Sequence, residues 1–78
     1  MPSPFYETLS ALLSEYMPGE KVDATLRRQL NRVETDSDHF DRNHFSRVIG
    51  SLKGAVVLYV REGGKIRELY TKLDELLG

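Results

Sequence analysis

Apolar residues recur at three- and four-residue steps in four separate stretches, a spacing that lines one side of an α-helix rather than one face of a strand. The first stripe is Phe5, Leu9, Leu12, Leu13, Tyr16 and Met17. Pro4 suits its first turn, where a missing N–H costs nothing, Ser3 is placed to cap it, and Pro18-Gly19 end it. Val22, Leu26, Leu30 and Val33 mark a second helix, from about Glu20 or Asp23 to Glu34. The short polar side chains of Thr35-Asp36-Ser37-Asp38 compete for the backbone and favour a turn.

With Asp41 as the cap of a third helix, Phe40 precedes the cap and Phe45 occupies the fourth helical position, the arrangement of a hydrophobic staple. Phe45, Val48, Ile49, Leu52, Val56 and Tyr59 then carry helical spacing to about Arg61, which makes this the longest element at roughly 30 Å. Gly63 and Gly64 stop it. Ile66, Leu69, Tyr70, Leu73, Leu76 and Leu77 mark the last helix. The expected fold is therefore all-α, a compact bundle of four short amphipathic helices, mostly antiparallel because the connections are short. Ala55 to Val60 is β-branched and aromatic between glycines, which leaves one alternative: three helices and a small C-terminal β-hairpin, as in a winged helix. The helical period of Lys65 to Tyr70, the only partner such a strand would have, favours the bundle.

The 78 residues suffice for one domain, residues 1–78, with a stability on the order of 4 to 12 kcal/mol. Cysteine is absent, which excludes a disulfide framework, a thiolate zinc site and a cysteine nucleophile. The opening Met-Pro-Ser-Pro-Phe-Tyr-Glu lacks the pattern of a secretory signal, and no window approaches membrane-spanning length. A cytoplasmic location without a membrane partner is expected.

The net charge is −1, too small for a global field that grips a polyanion. Its distribution says more, because Met1–Glu20 and Glu34–Asp41 are acidic while Lys21–Val33 and Arg42–Lys65 are basic. Alternating blocks would select the register of antiparallel neighbours by attraction.

Chemistry is hard to nominate. Asp36, Asp38, His39, Asp41 and His44 form the densest polar cluster, but an EF-hand numbered from Asp36 would meet Phe40 and Asp41 where it needs an oxygen ligand and a glycine. A bundle di-metal site would need the Asp41/His44 pair twice. Ser37, His39 and Ser46 crowd one loop instead of converging from separate elements as a triad does. No metal, cofactor or catalytic residue is assigned, and the expectation is a protein that is not an enzyme.

The third helix carries the functional expectation. Its core stripe leaves Gly50, Gly54, Val57, Leu58 and Arg61 pointing broadly the other way, so the rod is apolar on two sides. Glycine in mid-helix costs about 0.5 to 1 kcal/mol relative to alanine, a loss that close packing of another backbone would offset. That describes a surface for another protein or for a second copy in a homodimer, with Tyr6, Tyr16, Tyr59 and Tyr70 as further contact area. The alternative is a nucleic-acid-binding regulatory domain using Lys21, Arg28 and Arg32 of the second helix with Arg42, Arg47 and Lys53 of the third. Against it, Asp36, Asp38 and Asp41 fall between the two groups, and the connection is too long for a helix-turn-helix.

Overall fold

Each apolar stripe forms a helix in the computed structural model, which describes all 78 residues: α1 over Pro4–Ser14, α2 over Gly19–Arg32, α3 over Arg42–Val56 and α4 over Gly63–Leu76. The fold is all-α and without strands, so the winged-helix alternative does not hold. Ala55 and Val56 belong to α3, Val57 to Tyr59 form a turn, and Lys65 to Tyr70 lie within α4.

Local chemistry sets the helix ends. The Ser3 hydroxyl accepts the Tyr6 N–H at 3.1 Å and also donates to the Phe40 carbonyl, so one side chain caps α1 and ties it to the chain before α3. At α3 the Asp41 carboxylate accepts the His44 N–H at 3.1 Å while the Asp41 N–H donates to His44 Nδ1 at 3.2 Å, a reciprocal capping box with histidine in the usual glutamate position. Helix α2 stops at Arg32 rather than Glu34, because Glu34 takes a left-handed conformation (φ 53°). The Glu34 N–H donates to the Asn31 carbonyl and the Thr35 N–H to the Leu30 carbonyl, the two bonds of a Schellman close.

Thirteen apolar side chains drawn from all four helices and their connections form one buried cluster. The Phe5 ring sits 5.9 Å from Phe40 and 5.3 Å from Phe45, so the two staple residues meet through an aromatic from α1. Leu30, expected in the core stripe of α2, is only half-buried, and Gln29 takes the buried position beside it.

Helix α3 is the longest element at 15 residues, but it ends at Val56, well short of Arg61. Gly63 and Gly64 do not stop it; they form the first turn of α4. With the glycines used there, residues 57–62 must supply the whole reversal between two antiparallel helices, and a rod reaching Arg61 would leave one residue for it. The ladder tightens accordingly: the Leu58 N–H donates to the Ala55 carbonyl and the Tyr59 N–H to the Val56 carbonyl, each three residues back. The turn lets Val60 fold back into the core at 5% exposure.

The expected electrostatic register also needs correction. α1 and α2 carry opposite charge, but α4 has no net charge and the two basic segments α2 and α3 share the most extensive contact in the bundle. The one ion pair between helices is Lys53 to Asp74 at 2.6 Å, joining α3 to α4. Apolar burial and connection length therefore set the α2/α3 pairing against like-charge repulsion. No helix is long and apolar enough to cross a membrane.

Candidate functional site

The short α3 changes where the expected interface residues stand. Gly50 and Gly54 remain on α3, where a Cβ added at either would meet nothing within 4 Å. No other helix of this chain packs against them. Val57 and Leu58 lie on the turn beyond α3, and Arg61 in the connection before α4. The turn is nevertheless open: Val57 is 40% exposed, Leu58 66% and Tyr59 39%, and apart from Met1 these are the large apolar side chains the fold leaves exposed. Three such residues in succession project from the junction of α2, α3 and α4. Tyr59, assigned by its spacing to the core stripe, is instead part of this exposed group.

Two clefts flank Tyr59. On one side lie Glu15, Tyr16, Arg61 and Lys65, bordering an open cleft of about 190 Å³. On the other a narrow cleft of about 30 Å³ runs between α2 and the turn, lined by Ala24, Thr25, Arg28, Gln29, Ala55, Leu58 and Tyr59. Gln29 is 2% exposed and its Oε1 has no hydrogen-bond partner. A buried amide oxygen left unsatisfied costs about 1 to 3 kcal/mol. Sequence reading passed over this residue; its signal is a polar side chain seven residues after Val22 and three after Leu26, on the buried side of α2.

The six cations of the nucleic-acid alternative do not form one surface. Lys53 faces α4, bonded to Asp74 at 2.6 Å, with its ammonium 5.3 Å from the centre of the Tyr70 ring. Arg42 lies at the start of α3 beside Gly78, at the end of the chain. The other four do come together along the α2/α3 seam. Arg32 Nε donates to Ser51 Oγ at 3.2 Å, Arg32 and Arg47 border the same cleft, Arg28 borders the cleft of Gln29, and Lys21 stands 5.8 Å from the Tyr59 ring centre.

The acidic loop is occupied with its own turn. His39 Nδ1 lies 2.7 Å from Asp36 Oδ1, and the same oxygen accepts the His39 N–H at 3.0 Å. The hydrogen bond from His39 holds the Asp36 carboxyl below its ordinary value, and the same bond and charge raise His39. No three His, Asp or Glu side chains converge as a metal would require. A further cleft that sequence reading did not find opens between α1 and α4, about 560 Å³, with Leu12, Leu76, Glu15, Lys72 and Glu75 among its lining residues. Set against family models, curated proteins and solved structures, the chain matches none.

Proposed function

We propose that this chain is a small protein-interaction module of the cytoplasm, an adaptor, regulator or assembly subunit without catalytic activity of its own. It docks through the turn between α3 and α4. The observation that carries this reading is the run Val57-Leu58-Tyr59, exposed in a chain that buries thirteen other apolar side chains in one core. Leu58 is the anchor, losing water against the partner, with Val57 and Tyr59 beside it and Arg61 orienting the rim. Gly50 and Gly54 leave the outer side of α3 without Cβ atoms, so a partner backbone can approach closely.

Leu58→Asp tests this. Because Leu58 is mostly exposed, the variant should keep the helical circular dichroism signal and a stability within about 0.5 kcal/mol of wild type. It should lose the partner retained by an immobilised wild-type chain from extracts of cells that make the protein. Light scattering over a concentration series reports whether that partner is a second copy. Equal retention by both baits, or unfolding of the variant, would sink the reading. A nucleic-acid role draws support from the four cations on the α2/α3 seam and predicts a gel shift at low salt that depends on Arg28, Arg32 and Arg47.

A further inference from the structure

The seam between α2 and α3 combines two features that together describe what would cover it. Lys21, Arg28 and Arg32 fall within about 40° of one another on a helical wheel, at the edge of α2 that faces α3. Arg47 joins them from α3, a helix with no acidic residue, and none of the four has an ion-pair partner within 4.0 Å. Leu58 projects at one end of this seam, 66% exposed beside the cleft that Arg28 also borders.

Each feature narrows the occupant. A second copy docking by the same face would set four unpaired cations against four, so a two-fold contact here is repulsive. A phosphate backbone would satisfy the cations, but it makes no use of an exposed leucine. Carboxylates and an apolar stripe occur together on an acidic amphipathic helix.

We propose that α2, α3 and the turn after α3 form a docking groove for an acidic amphipathic segment of another protein, its carboxylates on Lys21, Arg28, Arg32 and Arg47 and its apolar side on Leu58. The proposal rests on the docking role given above to Leu58 and adds the chemistry of the partner.

The test uses the full chain and two short synthetic helices, identical but for their flanks: leucines on a single stripe, with glutamates on both sides in one peptide and glutamines in the other. The glutamate peptide should bind at least about tenfold more tightly by fluorescence anisotropy at low salt, and the preference should shrink as salt rises. Leu58→Asp and Arg28→Glu should each weaken it by about tenfold or more. If both peptides bind equally and Leu58→Asp still abolishes binding, the acidic partner is wrong and the docking role of the turn survives. If neither binds, the proposal falls, and retention of the cellular partner by wild type alone keeps the docking role. If neither binds and that partner is also indifferent to Leu58, both fall. Tighter binding of an oligonucleotide of equal charge, indifferent to Leu58→Asp, would make the seam a nucleic-acid surface.

Discussion

The two connections at either end of α3 invert what their compositions suggest. The one before α3, residues 33–41, is mostly polar and acidic, yet it hides Phe40 in the core and is stitched down by the Ser3 hydroxyl, the Asp36–His39 bonds and the capping box. The one after α3, residues 57–62, opens with three large apolar side chains, yet it exposes all three, and Glu62 makes no side-chain cap to α4. Burial in so small a chain thus follows where the backbone is tied as well as how apolar it is. The tied end serves stability and the untied end is free to serve contact.

The contrast is broken most directly by truncating one aromatic at each end. Phe40→Ala should cost about 3 to 5 kcal/mol in urea unfolding, a large share of the total, whereas Tyr59→Ala should cost well under half of that; equal losses would abolish the distinction. Gly54→Ala should sharpen it. With open space where the Cβ would go, it should stabilise the free chain by about 0.5 to 1 kcal/mol and weaken partner capture. A smaller gain, about 0.5 kcal/mol, is expected from Glu34→Gly at the left-handed close of α2, where relief of strain is partly offset by a freer unfolded chain.

The smallest effect is a pH dependence confined to the tied end. His39 is raised, so its contribution is complete below its unfolded value of about 6.5 and is lost as pH rises through the folded one. Asp36 is lowered, so its contribution is complete above about 3.9 and is lost as pH falls through the folded one. The thermal midpoint of wild type relative to His39→Gln should therefore be highest between those limits. A difference that is flat with pH would show that the exposed pair adds nothing.

The four helices were legible because their stripes are long and Ser3, Pro4 and Asp41 stand where caps belong. The end of α3 was not, because the spacing of Phe45 to Tyr59 is a local property, while the stop at Val56 depends on the chain length needed to turn toward α4. Gln29 was invisible for a related reason: its neighbours at Val22 and Leu26 define the buried side, but a glutamine adds nothing to an apolar stripe. The apolar character of Val57 and Leu58 was readable, and so was their direction away from the core stripe. Their position on a turn was not. Pairing of the basic helices ran against the charge pattern because burying leucine and phenylalanine outweighs screened repulsion between arginines at a solvated edge.

The bond from the Ser3 N–H to the Ser37 carbonyl, with the Ser3 hydroxyl on Phe40, has a consequence for synthesis on the ribosome. α1 can pack on α2 as soon as that helix has followed it, but the Ser3 hydroxyl must wait for Phe40, 37 residues on, and closing that span carries a loop entropy of about (3/2)RT ln n. The first turn of α1 is therefore fixed late, and nascent chains released before Phe40 should leave Phe5 without its aromatic neighbours and open to chaperones.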